Sequence, residues 1–417
     1  MRRAFTVTAM ATGVAVVAAG GTVAVLRLRG PLPAPRVSVT AQHDLVLAPG
    51  DPPAVPVPSA GSFLLQSDAG LDLGAADPDT PRPIGSVAKV MTALVVLAAH
   101  PLDAGADGPS LTLSAQDVKF FEQDAAAGGS AIAVQAGETL TERQLLLALL
   151  LPSANNIADT LAVWVSGSVA AFSARATGEA MALGMTQSHF DDASGVSDAT
   201  VASVRDLIRL ARAALAVPAL AGVVQTQSAT LPDGTVLRNL NILLSGGSDW
   251  LGLKTGWTGA AGGCLLFAAR HSYAPGAPPV TFYGAALSQP PDAAVDADHP
   301  ELGGAFAAAR DAMTAAFAGY TAVDLATATP EVAGSVSEPW GARSDVAVRA
   351  VRGTVVARLG QAFDLSVVRR PAAPAPRAGT EVATVRGSPP GGAALDWAVV
   401  TTDPVGAPDW WWHLLNG

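Results

Sequence analysis

The stretch Gly85-Ser86-Val87-Ala88-Lys89-Val90-Met91-Thr92-Ala93-Leu94-Val95-Val96-Leu97-Ala98-Ala99 decides how the rest of the chain is read. Nothing in it breaks a helix before His100-Pro101, and the pattern predicts about four helical turns from Ser86 to Ala99. Apart from Ser86, Lys89 and Thr92, every position from Ser86 onward is Ala, Val, Leu or Met. A helix apolar on all sides is a buried helix. A lysine there is either neutral or partnered, because an unpaired buried charge is strongly unfavourable. Ser86 and Lys89 stand at i and i+3, on one face and within reach of each other. A desolvated amine can remove the proton of a serine hydroxyl and turn it into a nucleophile. The alternative is a lysine snorkelling from the helix flank beside a serine that only caps. At this level both readings stay open.

Lysine is scarce in this chain, which sharpens the question. Of 25 basic residues only Lys89, Lys119 and Lys254 are lysines. Arginine cannot give up its proton near neutral pH and a buried lysine can, so these are the positions where arginine may fail to substitute. The 417 residues have room for two or three domains. With 35 acidic residues, a net charge of −10 and no basic cluster, nucleic acid is not an expected partner. The single cysteine, Cys264, excludes an intrachain disulfide and a thiolate metal cluster. Six scattered histidines offer no His-x-x-x-His pair, so neither a metal site nor a cofactor is expected.

Outward from the helix, the N-terminus has Met1 to Arg3 followed by Ala4 to Leu26 without a charge. That run is long enough for a bilayer core of about 30 Å. It leads directly into Arg27 and Arg29, which favours an uncleaved signal anchor over a cleaved signal peptide for residues 1–26. The protein is then expected outside the cytoplasm, attached to the cell membrane or secreted to the cell wall. Residues 27–60 carry Pro31, Pro33, Pro35, Pro49, Pro52, Pro53, Pro56 and Pro58 and read as an extended linker. A first globular domain is expected over 61–320, opening with strand-like Ser62-Phe63-Leu64-Leu65-Gln66. Short Val-rich runs between Pro and Gly predict a small all-β domain over 321–417. No long amphipathic helix follows it, so attachment is expected of the N-terminal run.

Two further motifs fall in the first domain. In Leu151-Pro152-Ser153-Ala154-Asn155-Asn156, the Thr141/Gln144 capping box opens a helix that Pro152 should end. Ser153 and Asn155 then lie at a connection between two apolar helices, facing a cleft or serving as N-caps of the second. In Leu253-Lys254-Thr255-Gly256-Trp257, a strand pairs as a hairpin with Cys264 to Ala269. Gly256 inside a strand weakens it and marks a close approach of ligand or backbone. The alternative for Lys254 is an exposed edge strand guarded by a charge. Cys264 reads as a small core residue.

Ser-x-x-Lys, Ser-x-Asn and Lys-Thr-Gly in this order resemble the penicillin-binding protein and serine β-lactamase superfamily, and within it the low-molecular-mass D-alanyl-D-alanine carboxypeptidases. The similarity extends to Lys89 through Leu94, Ser153 through Ala158, Phe190 through Gly195, and Asn239-Leu240-Asn241, covering roughly residues 61 to 320. It implies an α+β, transpeptidase-like domain, an antiparallel sheet flanked by helices, followed by the all-β domain. It implies acyl transfer on a peptidoglycan stem peptide ending in D-Ala-D-Ala, with β-lactams as inhibitors. Ser86 is the nucleophile, Lys89 its base, Ser153 the proton relay and Asn155 a holder of the substrate amide. Lys254 and Thr255 take the terminal carboxylate, Gly256 belongs to the substrate-pairing strand, and Trp257 shares the oxyanion hole with Ser86. Two departures stand out: a tryptophan where tyrosine or histidine is more usual, and no clear counterpart of a later arginine, for which Arg310 is a weak candidate. A D,D-endopeptidase or β-lactamase on the same fold, and a non-catalytic wall-binding or β-lactam-sensing protein, are the alternatives. The Glu-x-x-x-Asn loop of class A β-lactamases is missing after Ser153.

Overall fold

The computed structural model describes residues 2–389 and 393–416, in two compact units, Asp51–Thr321 and a second made of Met1–Gly50 with Ala322–Gly417. In the first, five antiparallel strands lie in the order Trp250–Thr258, Gly262–His271, Val280–Gln289, Ser62–Ser67, Asp72–Ala76. The sheet therefore needs strands from both ends of the unit. Neighbouring strand residues point to opposite faces. Phe282 meets Phe317 of helix Pro300–Ala318, whereas Tyr283 lies under the Arg212 guanidinium of helix Val204–Ala216. The two helices thus cover opposite faces, the α+β arrangement expected.

Other helices of this unit pack on Lys89–Ala99, whose Val90, Met91, Ala93, Val95 and Val96 are fully buried. Its neighbours include Glu142–Leu150, Asn155–Ser166 and Val169–Ala182. The capping box forms as read: Thr141 Oγ1 accepts from Gln144 N and Gln144 Oε1 from Thr141 N. The helix stops at Leu150, ahead of Pro152. One expected boundary differs. The chain enters the central helix through a 3₁₀ turn, Gly85–Ala88, so the α-helix begins at Lys89 and not at Ser86.

The second unit holds a seven-stranded antiparallel sheet ordered Arg36–Ala41, Val332–Ser337, Arg343–Val348, Leu395–Thr401, Glu381–Ser388, Ala362–Arg369, Asp44–Val46. Its two outer strands follow each other in sequence, separated only by Gln42 and His43, so the sheet must curl until its ends meet. Trp397, Val336, Val382, Val385 and Val399 fill its core. Residues 27–60 are therefore not a linker throughout. The alternation Val37, Val39, Ala41 gives strand 36–41 an apolar side that packs on this core, and proline is absent from 36–46. The proline-dense 51–60 belongs to the other unit, where Val55 and Val57 lie against Gly74 and the Ala60 carbonyl accepts from Gln289 Nε2. Of the expected anchor 1–26, Met1 and the side chains of 2–12 lie outside the described residues. The backbone of Arg2–Leu28 is helical, and among the described residues no single helix is long and apolar enough to cross a membrane.

Candidate active site

A 3₁₀ turn has three residues per turn, so side chains at i and i+3 eclipse. That is why the Gly85–Ala88 turn sets Ser86 directly over Lys89, with 2.7 Å between Ser86 Oγ and Lys89 Nζ. Lys89 is fully buried. Its Nζ also donates to Asn155 Oδ1 at 2.7 Å and to the Ser194 carbonyl at 3.0 Å. Two obligate acceptors and one hydroxyl suit either protonation state. The ammonium donates to all three, whereas the neutral amine donates to two and accepts from the serine. One proton can thus pass from Ser86 to Lys89 without rearrangement. Burial pulls Lys89 down to about 7, against the opposing pull of Asp192, Asp124 and Asp159. A base poised near neutral pH is the condition for efficient proton transfer.

Asn155 does not cap its helix. The N-cap is Ala154, which makes no side-chain bond, and Asn155 reaches Lys89 instead. Its backbone N–H is held by the Ser130 carbonyl at 2.7 Å, and Asn156 grips both the N–H and carbonyl of Ile132. Ser153 has φ +67°, a left-handed conformation that costs a non-glycine residue about 1 kcal/mol or more. Its hydroxyl is buried with no hydrogen-bond partner among the described residues. Strain together with an unpaired buried hydroxyl suits a group held ready for a reacting partner.

Lys254 is likewise buried, at 1% exposure, so it does not guard an exposed edge. Among the described residues its Nζ donates only to Thr255, to the carbonyl at 3.0 Å and to Oγ1 at 3.4 Å. Burial, and then repulsion from Lys89, hold it well below the usual lysine range. A carboxylate arriving beside Nζ would counter both effects by favouring the charged amine. Gly256 carries the close approach expected of it: a Cβ would stand 2.8 Å from the Ile84 carbonyl and 2.9 Å from the nitrogens of Ser86 and Val87. The strand and the Gly85–Ala88 turn are pressed together there, and Trp257 follows at the surface, 51% exposed. Cys264 pairs with Gly256, and burial pushes its thiol up to about 12, consistent with an inert core residue. Arg310 is exposed on helix Pro300–Ala318, and Gln289 holds the Ala60 and Leu287 carbonyls.

The structure therefore gathers Ser86, Lys89 and Asn155 by direct contact and sets Gly256 against the Ser86 turn. The sequence reading missed the carboxylates Asp124, Asp159 and Asp192 around Lys89, and the loop carbonyl of Ser194. Only the Phe190–Gly195 match hinted at that loop.

Comparison with known proteins agrees with this geometry. The sequence profile of the D-alanyl-D-alanine carboxypeptidase family, Peptidase S11, matches residues 52–275, more than half the chain. A D-alanyl-D-alanine carboxypeptidase of Streptomyces sp. strain K15 is 32% identical over 231 residues, 52% of this chain and 77% of the relative. A D-alanyl-D-alanine endopeptidase of Escherichia coli is 32% identical over 197 residues, 45% of this chain and 60% of the relative. The crystal structure of the Streptomyces K15 DD-transpeptidase superposes with a TM-score of 0.53 at 28% identity, covering 63% of this chain and 98% of the other. The chain belongs to the D-alanyl-D-alanine carboxypeptidase family and is a serine D,D-peptidase of the penicillin-binding fold.

Proposed function

We propose that Ser86 forms the acyl-enzyme through which this protein removes the terminal D-Ala of peptidoglycan stem pentapeptides. The observation that carries this is the Lys89 amine, fully buried, 2.7 Å from Ser86 Oγ and otherwise occupied by Asn155 and Ser194. Ser86 Oγ bonds to the penultimate D-Ala carbonyl carbon while its proton passes to Lys89 Nζ. The backbone N–H groups of Ser86 and Trp257 receive the oxyanion. Ser153 relays a proton to the departing amine as the C–N bond breaks, and Asn155 holds the substrate amide. Lys254 and Thr255 bind the terminal carboxylate. The strand Trp250–Thr258 pairs with the extended substrate backbone. Water then hydrolyses the ester and frees Ser86. β-Lactams imitate the substrate and leave Ser86 acylated.

The charge-free run Ala4–Leu26 supports a membrane attachment that holds both units outside the cytoplasm. D,D-endopeptidase action on cross-links is the second reading, favoured by the resemblance to the Escherichia coli endopeptidase. Intact-mass measurement after penicillin should find one acyl adduct, mapped to Ser86 and lost in Ser86→Ala. D-Ala release from a pentapeptide, run beside cleavage of a D,D-cross-linked dimer, separates the two readings. An adduct that persists in a folded Ser86→Ala protein would overturn both.

A further inference from the structure

We propose that Asp192 is a positioning residue for the nucleophile pair: its carboxylate shapes the loop from Asp192 to Thr200 so that the Ser194 carbonyl meets the Lys89 amine, and its charge faces that amine. The proposal rests on the reading of Lys89 as the base of Ser86. Asp192 collects five donors. Oδ1 accepts from Gly195 N at 3.0 Å and Thr200 Oγ1 at 2.6 Å. Oδ2 accepts from Ser194 Oγ at 3.0 Å, Val196 N at 2.8 Å and Ser197 N at 3.0 Å. Only an acceptor on both oxygens can serve all five, since an asparagine would turn a donor towards one set.

The loop so closed touches the nucleophile on both flanks. Ser194 O accepts from Lys89 Nζ, and one turn further along the helix Ala193 O accepts from Thr92 Oγ1 at 2.6 Å. On the other side the Thr200 carbonyl accepts from Ile84 N at 3.3 Å. Gly195, at φ +81°, lies so close that a Cβ would stand 1.9 Å from the Gly85 carbonyl. Ser86 is thus held by a loop in which Asp192 takes these five bonds, while Asp191 Oδ2 takes one more, from Ser197 Oγ at 2.6 Å.

The groups that act on Lys89 by charge come from four elements. They are Asp192 in this loop, Asp124 on helix Ala115–Ala126, Asp159 on helix Asn155–Ser166, and the opposing Lys254 on strand Trp250–Thr258. Asp192 acts most strongly of the three carboxylates. Burial pushes Asp159 up to about 7, so it loses part of its charge near neutral pH, and burial also raises Asp124. With the charge of Asp192 removed, desolvation pulls the amine further down and weakens the base.

The test is the pH profile of penicillin acylation for the full chain, with thermal melts as a folding check. Asp192→Asn should move the acid limb to lower pH by about half a unit or more and lower the plateau about tenfold. Thr200→Val keeps the charge and removes one donor, so it should lower the plateau and leave the limb in place. An Asp192→Asn protein that folds with an unmoved limb overturns the proposal, whatever its plateau. Should Asp192→Asn fail to fold, a Thr200→Val plateau equal to the parent's overturns it. Lys89→Arg is measured alongside. Near-normal acylation there would remove the base reading itself, whereas its loss beside an unmoved Asp192→Asn limb removes only the role of Asp192.

Discussion

Replacing Gly256 by alanine tests whether strand and nucleophile are set by direct backbone contact. The added methyl would meet the Ile84 carbonyl at 2.8 Å and the nitrogens of Ser86 and Val87 at 2.9 Å. All three atoms are backbone, so no flexible side chain can move aside. Restoring ordinary contact requires the Gly85–Ala88 turn and the strand to separate by about 0.5 Å or more. The strand cannot yield freely, because Gly256 is paired with the buried Cys264 in the next strand. The turn cannot yield without moving Ser86 from Lys89 or from Trp257 N. Overpacking of this kind costs roughly 1–3 kcal/mol, from which a smaller gain in unfolded-chain entropy is subtracted. The catalytic cost should be larger, about 10²-fold in acylation rate, since misplacements on the ångström scale reach that size. The assay is the second-order rate of labelling by a fluorescent penicillin at a temperature where melting shows the variant folded. Gly259→Ala is the control, because nothing lies within 4 Å of a Cβ there. A folded Gly256→Ala protein acylated within about threefold of the parent would refute the close-approach argument.

Three further outcomes follow from the same geometry. Acylation should fall as pH drops below about 7, where Lys89 takes up a proton, and Lys89→Arg should lose on the order of 10³-fold because guanidinium cannot accept one; a flat profile through neutral pH contradicts this. Glu142 is buried with neither carboxylate oxygen partnered among the described residues, and burial pushes it from 4.5 up to about 7. Between those values the folded chain holds a proton that the unfolded chain releases, so stability falls as pH rises through the window. Melting temperatures at pH 5 and 8 should show Glu142→Gln gaining on the parent at the higher pH, and identical pH dependence would exclude it. Finally, a chain starting at Asp51 lacks both outer strands of the seven-stranded sheet and should lose that unit's protease resistance while Ser86 still reacts with penicillin. A chain starting at Gly30 should keep both, and a resistant β unit in the shorter chain would contradict the pairing.

What the sequence determined by itself is local. The i, i+3 spacing of Ser86 and Lys89, the Thr141/Gln144 capping box, the stop before Pro152 and the hairpin after Lys254 depend on neighbours a few residues apart, and the structure has each of them. Gly256 was legible for a related reason, since a glycine in a strand weakens it unless something must come close. Even here the local rule left choices open. Asn155 is as good an N-cap as a partner for Lys89, and only packing of Lys89–Ala99 on Asn155–Ser166 decided between them, across 66 residues of sequence. The Ser194 carbonyl reaches the same amine across 105 residues, and the carboxylates of Asp124, Asp159 and Asp192 converge on it from three elements. The prolines of 31–58 suggest a single linker because proline reports backbone extension but not what an extended segment lies against. Strand 36–41 finds its partner at 332–337. Backbone hydrogen bonds, caps and turns are satisfied within a few residues, so their signals are written in order along the chain. A buried amine's environment is set by whichever surfaces desolvate it, and those meet only when the whole unit has packed.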